Sequence, residues 1–146
     1  MSIDGQTDDT IRAILTGTRR IAMVGASAKI WRDSNHVMRF LLDRGYDVTP
    51  VNPNLLGQSL HDRPAVARLA DAAPLDMVDL FRNSTNVGPV VDAAIRLGAR
   101  TIWMQLGVID HEAAARARAA GLTVVMDRCP IIEDRRLGPF HAPSGH

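Results

Sequence analysis

Two basic side chains and a glycine turn lie close together near the start of the chain. An apolar run over residues 21–24 stops at Gly25, and a helix that Ser34 or Asn35 can cap is predicted to follow. Glycine lets the backbone turn tightly under a ligand, and a helix start offers unpaired N–H groups and a positive dipole end to a phosphate. The pattern predicts a binding site for a nucleotide-like ligand, formed by Gly25, Ala26, Ser27, Lys29, Arg32, Ser34 and Asn35.

This pattern differs from the fingerprint of a dinucleotide site. That fingerprint, G-x-G-x-x-G, needs two further glycines and an acid about twenty residues on for the ribose hydroxyls. Ser27 and Ile30 stand at the second and third glycine positions, and the second predicted strand ends at Asn52-Pro53 without a carboxylate. An NAD interpretation is therefore weakened. Because Arg82 adds a third cation, the loops suit a ligand with several phosphates, and coenzyme A and NADP both meet this description.

Apolar β-type runs alternate along the chain with helical patterns. This alternation predicts βαβ units, and therefore a single-domain α/β fold of the Rossmann-like, three-layer type, with a mainly parallel sheet flanked by helices. The predicted strands span residues 20–24, 46–51, 77–81, 101–105 and 122–126. The predicted helices span residues 10–15, 34–44, 64–69, 84–97 and 110–120. In such a sheet the ligand crevice lies at the carboxyl ends of the strands, so the loops there should form the site.

Length, charge and cysteine content exclude several classes of protein. The 146 residues fit one domain, and 17 basic against 16 acidic residues favour neither nucleic acid nor a membrane surface as partner. The chain shows no secretory signal or membrane span, and its single cysteine, Cys129, suits a reducing compartment. We expect a cytoplasmic protein with a flexible N-terminus (1–9), a binding domain (10–137) and a disordered tail (138–146).

The residue types that carry common catalytic chemistry are not arranged for it. The five histidines are scattered without metal-ligand spacing, and there are neither paired carboxylates nor a Ser-His-Asp order. The sequence therefore favours binding over catalysis, predicts no metal site and leaves an enzymatic role open.

Five motifs carry a resemblance to a known family. They are Val24-Gly25-Ala26-Ser27, Pro50-Val51-Asn52-Pro53, Asp79-Leu80-Phe81-Arg82, Trp103-Met104-Gln105-Leu106-Gly107-Val108 and Met126-Asp127-Arg128-Cys129. In this order and spacing they resemble the small stand-alone CoA-binding proteins, which are similar to the CoA-binding domain of the succinyl-CoA synthetase α subunit. The resemblance covers about residues 10–137. The chain departs from the family pattern over residues 28–31, where relatives more often have a proline-containing turn.

The resemblance implies coenzyme A or an acyl-CoA as the ligand. The residues of the predicted anion site would hold its phosphates. Asn52 and Pro53 would border the adenosine, and Phe81 and Arg82 would edge the crevice.

The same resemblance places further residues along the rest of the ligand. Val87 would touch adenine or pantetheine, and the pantetheine path would pass Gln105 and Gly107. Cys129 should lie near the crevice mouth, where its thiol either forms a mixed disulfide with CoA or is buried and inert.

The resemblance also implies a limit on activity. In the synthetase the phosphorylated histidine lies in a second domain, and the nucleotide-binding grasp domain lies in another subunit. The resemblance covers neither part, so we expect no autonomous ligase activity. The resemblance is compatible with a role as a CoA carrier, a CoA sensor or a partner module of another protein. The alternatives are an NADP-dependent oxidoreductase and a protein-interaction module with a vacant pocket. A homo-oligomer is compatible with the sequence, which identifies no protein partner.

Overall fold

The computed structural model describes residues 2–144 and contains five helices around a five-stranded sheet. In chain order the elements are α1 (Asp8–Gly17), β1 (Arg20–Val24), α2 (Asp33–Asp43), β2 (Asp47–Val51), β3 (Ser59–Leu60), β4 (Arg63–Pro64), β5 (Met77–Leu80), α3 (Gly88–Arg96), β6 (Thr101–Met104), α4 (His111–Ala119), β7 (Thr123–Val125) and α5 (Pro130–Leu137). Among the described residues, no helix combines the length and the apolarity needed to cross a membrane.

The five sheet strands are parallel and lie in the order β2-β1-β5-β6-β7. Ile21 of β1 pairs with Val48 of β2 on one side and with Met77 of β5 on the other. The connections that follow β1 and β5 run in opposite directions, so the loops diverge and leave a crevice at the carboxyl ends of these two strands. The predicted α/β fold with a parallel sheet is confirmed.

Helices cover both faces of the sheet because the strands are apolar on both. On one face, Val91 of α3 and Ala114 of α4 belong to the same buried cluster as Val78 of β5. On the other face, α1, α2 and α5 pack over a cluster that includes Met38 and the fully buried Trp103. Burial on both faces is typical of a parallel sheet in a three-layer protein.

The predicted sheet strands agree with the structure to within one residue at each end, but three other segments differ. The helix predicted over residues 84–97 begins only at Gly88, after a separate 3-10 turn over Ser84–Asn86. The predicted helix over residues 64–69 is wrong. The segment is extended because Val66 donates its N–H to Pro50 O (3.0 Å) and accepts from Asn52 N (2.9 Å), which prolongs the pairing along β2. Helix α5 (Pro130–Leu137) has no counterpart among the predicted helices, since half of its residues are charged and mask the apolar period.

Both ends of the chain contact the domain over their described parts, within the segments predicted as a flexible N-terminus (1–9) and a disordered tail (138–146). Asp4 is buried, and its Oδ2 accepts from Arg128 Nε at 2.8 Å. Phe140 is also buried, donates its N–H to Asp134 Oδ1 at 2.8 Å and accepts from Arg44 at 3.1 Å. Residues 1, 145 and 146 of the two predicted segments lie outside the described residues.

We expect Asp4→Asn to lower the free energy of unfolding by about 2 kcal/mol at pH 7. Burial raises the pKa of Asp4, but hydrogen bonds from Arg128, Gln6 N and Met126 N outweigh it and lower the pKa to about 2. Because the folded pKa lies below the ordinary 3.8, this stabilisation is complete above about pH 5 and is lost as the pH falls toward 2. Urea titrations of both proteins at pH 7 and at about pH 3 measure the difference. A difference that does not shrink in acid contradicts the assignment.

Candidate functional site

Three adjoining cavities lie along the carboxyl-end edge of the sheet. The turn cavity, about 370 Å³, is surrounded by the loop after β1, the start of α2, Asn52 and Phe81. The large cavity, about 600 Å³, lies between α2, the loop after β6 and the start of α5. The apolar slot, about 210 Å³, lies beside the end of β2. The turn and large cavities share Asp33 and Phe81, and the large cavity and the slot share Arg82.

The turn after β1 approaches the end of β5 more closely than a side chain permits. Gly25 has a φ of +87°, and a Cβ atom there would lie 2.5 Å from Phe81 O. Backbone hydrogen bonds hold this approach, from Gly25 N to Val51 O at 3.0 Å and from Phe81 N to Val24 O at 2.9 Å. Only glycine combines a left-handed backbone with the absence of a Cβ. The floor of the turn cavity therefore depends on the residue type at position 25.

Two amide side chains hold the carbonyl groups of this turn. Asn52 Nδ2 donates to Ala26 O and Asn35 Nδ2 donates to Ser27 O, both at 2.9 Å. Asn35 Oδ1 is in turn 3.0 Å from His61 Nε2. The structure thus places Asn35 behind the turn as a support. It places Asn52 on the cavity wall with both ends of its amide engaged, since Oδ1 accepts from Asn54 N at 2.9 Å.

The start of α2 faces the turn cavity without a side-chain cap. The N-cap residue is Arg32, whose side chain makes no capping hydrogen bond. The expectation that Ser34 or Asn35 caps this helix is wrong, because both residues lie inside its first turn and are buried. Asn35 N already donates to Arg32 O at 3.1 Å, which leaves the N–H groups of Asp33 and Ser34 to bind an anion. Ser27 Oγ supports the loop before it by accepting from Lys29 N at 3.1 Å.

Three exposed basic side chains around the cavities have no carboxylate partner within residues 2–144. They are Lys29 and Arg32 at the turn cavity and Arg82 between the large cavity and the slot. Nine other arginines of the chain form salt bridges with aspartate or glutamate. The charge of the three crevice cations is therefore not neutralised inside the protein and can pair with an anionic ligand.

One residue of the site, Asp33, is absent from the sequence-based set. It is the first residue of α2, is exposed and lines both the turn cavity and the large cavity. An acid in the first helical turn interacts favourably with the helix dipole but opposes a phosphate placed beside it. Asp33 directly precedes Ser34, where the helix was predicted to start, and this position is the sequence signal that would have placed it at the site.

The large cavity has mixed polar and apolar walls. Gln105, Gly107 and Cys129 line it, as the sequence analysis expected for the crevice. Leu106 and Ile132 also line it and are exposed to 55% and 45%. An elongated ligand with both amide and hydrocarbon groups fits such a surface.

Side chains from neighbouring loops fix the wall after β6. Ser84 Oγ accepts from Ile109 N at 2.9 Å, and Asp127 Oδ1 accepts from Gly107 N at 2.8 Å. Asp127 itself has a φ of +59°, a conformation that aspartate adopts more readily than most residues. Over residues 2–144, no group of three or more His, Cys, Asp or Glu side chains is placed to hold a metal ion.

The apolar slot contains one of the two remaining predicted site residues. Pro53 lines it together with Val24, Val51 and Leu69. Val87, which we expected to touch the ligand, is instead fully buried in the core because it precedes α3 with its side chain among the residues under that helix.

Comparisons with known proteins agree with this architecture. A family model described as a CoA binding domain matches residues 19–135. The uncharacterized protein YneT of Bacillus subtilis is 35% identical over 120 residues, which make up 82% of this chain and 87% of that protein. A hypothetical protein from Pyrococcus horikoshii OT3 is 42% identical, with a TM-score of 0.88 over 94% of this chain and 96% of that one.

A larger protein shares the fold alone. The dinucleotide-forming acetyl-coenzyme A synthetase 1 of Ca. Korarchaeum cryptofilum superposes with a TM-score of 0.64 and 23% identity. The match takes in 77% of this chain and 26% of that one.

We expect Gly25→Ala to lower the free energy of unfolding by about 3 kcal/mol, because the new Cβ must displace the Phe81 carbonyl and the backbone stays left-handed. The matched control is Gly98→Ala, where φ is +78° and no atom lies within 4 Å of the added Cβ. The control should cost about 1 kcal/mol. Thermal and urea denaturation measure both variants, and equal losses would contradict the close approach.

Proposed function

This chain belongs to the family of CoA binding domains, and from that premise we propose that it binds coenzyme A or an acyl-CoA at the carboxyl-end edge of its sheet. The observation that carries the proposal is the turn cavity, in which a glycine turn, an uncapped helix start and the cations Lys29 and Arg32 meet. The phosphate groups of CoA are negatively charged, and helix N–H groups and basic side chains are the groups that bind phosphate.

The other two cavities match the remaining parts of CoA in chemistry. The apolar slot beside Val51 and Pro53 suits the flat adenine ring, and it adjoins Arg82, which would face the ribose phosphate. The large cavity suits the pantetheine arm, with Gln105 for an amide group and apolar walls for the methylenes. In this arrangement the thiol or acyl end would lie toward Cys129 and the start of α5.

We propose binding without autonomous ligase chemistry, in a carrier, sensor or partner role. His36 is the histidine on the wall of the large cavity, and its Nε2 lies 2.7 Å from Ile30 O, within hydrogen-bond distance of that carbonyl. Asp33 and His36 line the same cavity, but the contact of the His36 ring is with Ile30 O, and the exposed groups of the walls are mainly cations and hydrogen-bond donors.

We expect CoA and acetyl-CoA to bind saturably, to raise the melting temperature and to change tryptophan fluorescence. Trp31 lies in the loop before α2, is 70% exposed and has Lys29 Nζ 5.8 Å from its ring centroid, so a phosphate on that lysine should alter its emission. NADP and NAD are titrated in parallel. Tighter binding of NADP would favour the oxidoreductase alternative, and no response to any of the four would favour the protein-interaction module.

We expect Arg32→Ala to weaken CoA binding by about 10- to 100-fold, because a cation without an internal partner is lost beside the phosphates. Arg39→Ala is the matched control, since Arg39 lies on the same helix, is exposed and pairs with Asp43 at 3.4 Å. Calorimetric titration of both variants gives the dissociation constants. An unchanged affinity in Arg32→Ala would remove this residue from the site.

A further inference from the structure

A two-residue hairpin turn carries a histidine in the left-handed region of backbone conformation. Strands β3 and β4 are antiparallel, with Leu60 paired to Arg63, so His61 and Asp62 form the whole turn between them. Their φ angles are +48° and +66°. Asparagine, aspartate and glycine dominate turns of this kind because they adopt a positive φ at little cost. The turn geometry alone therefore favours asparagine or glycine over histidine at position 61.

The side chain of His61 extends from this turn to Asn35 in the first turn of α2. His61 Nε2 lies 3.0 Å from Asn35 Oδ1, and the two residues are 26 positions apart in the chain. Asn35 is only 7% exposed, and its Nδ2 donates to Ser27 O at 2.9 Å. Two consecutive hydrogen bonds through one amide side chain thus join the hairpin to the turn after β1.

The carbonyl group of Ser27 fixes the direction of both hydrogen bonds. A carbonyl oxygen only accepts, so the Asn35 amide presents Nδ2 to Ser27 and Oδ1 to His61. Because Asn35 Oδ1 also only accepts, His61 Nε2 is the donor. Both a neutral imidazole with its proton on Nε2 and the doubly protonated ring meet this requirement. The direction of the two bonds is therefore the same for a neutral and for a charged His61.

The bond from Asn35 orients the peptide group between Ser27 and Ala28. In a planar trans peptide, the C=O and the N–H that follows it point in opposite directions. Because Asn35 holds Ser27 O, the Ala28 N–H is directed away from Asn35. Within residues 2–144, neither Ser27 N nor Ala28 N donates to a protein acceptor. Free N–H groups of successive residues in a turn are groups that bind phosphate oxygens.

Resting on the proposed function, we infer that His61 is a positioning residue for the phosphates of the bound CoA. His61 is not among the residues that surround the turn cavity, and it acts on the turn through Asn35. Its donor holds the Asn35 amide in the orientation that supports the peptide between Ser27 and Ala28. Loss of this donor frees the amide to rotate, so the peptide is no longer held for a phosphate.

The test separates the turn from the hydrogen bond with two substitutions at position 61 of the full chain. His61→Asn suits the left-handed turn, but its side chain is shorter and ends before Asn35. His61→Gln suits the turn less well and carries an amide N–H donor that reaches about as far as Nε2 of histidine. We expect CoA affinity in calorimetric titration to be about fivefold weaker for His61→Asn and within about twofold of wild type for His61→Gln.

The matched control is Asp62→Ala, which strains the same turn and keeps the histidine. Asp62 is exposed and has a positive φ, so alanine there should lower the melting temperature. We expect its CoA affinity to equal that of wild type. An affinity that falls as much in Asp62→Ala as in His61→Asn would mean that the turn acts through stability alone, and it would overturn the inference.

A second measurement needs no ligand. In ¹H–¹⁵N spectra of the free proteins, the Ala28 amide signal should shift in His61→Asn and keep its position in His61→Gln and Asp62→Ala. An unmoved Ala28 signal in His61→Asn, or CoA affinity equal to that of wild type in this variant, overturns the inference. Failure of wild type to bind CoA at all would instead overturn the proposed function.

Discussion

The site depends on one backbone contact, the approach of Gly25 to the carbonyl of Phe81. It occurs where β1 and β5 end side by side and their following loops separate. Because no side chain stands between the two strand ends, the turn after β1 lies directly over the sheet edge. Phe81 can then line both the turn cavity and the large cavity. A larger residue at position 25 would push these two loops apart.

The ion pairs of the protein lie mainly away from the basic residues Lys29 and Arg32, which line the proposed binding site. Arg128 connects Asp4 near the N-terminus with Glu133 on α5, at 2.8 and 2.5 Å. These contacts hold α5 where its first turn forms a wall of the large cavity. Lys29 and Arg32, by contrast, lie on a loop whose own carbonyl groups are held by asparagine amides rather than by charges. The internal carboxylates therefore do not compete for the cations that line the turn cavity.

The sequence predicted the sheet well because each of its strands is a short apolar run with a clear end. The sequence placed Gly25, the cations Lys29, Arg32 and Arg82, and Gln105 in loops that follow strand ends, and the structure places them along the cavities at that edge of the sheet. The segment around Val66 was predicted incorrectly because its conformation is decided by pairing with the end of β2. Helix α5 was missed because its charged residues mask the apolar period, and the ion pairs of Arg128 with Asp4 and Glu133 that hold its start include partners far apart in the chain.

By itself the sequence determined the local features. These are the ends of the strands, the glycine at position 25, the basic residues in the loops that follow the strands, and the family that the motifs resemble. The tertiary structure alone decided which partners those residues meet. Asn35 supports the turn instead of capping its helix, Val87 turns into the core, and Gln105 meets Asp79 across two neighbouring strands. The physical reason is that backbone propensity and apolar period act over a few residues. A hydrogen bond such as that between Asp4 and Arg128 joins groups 124 positions apart and exists only once the chain has folded.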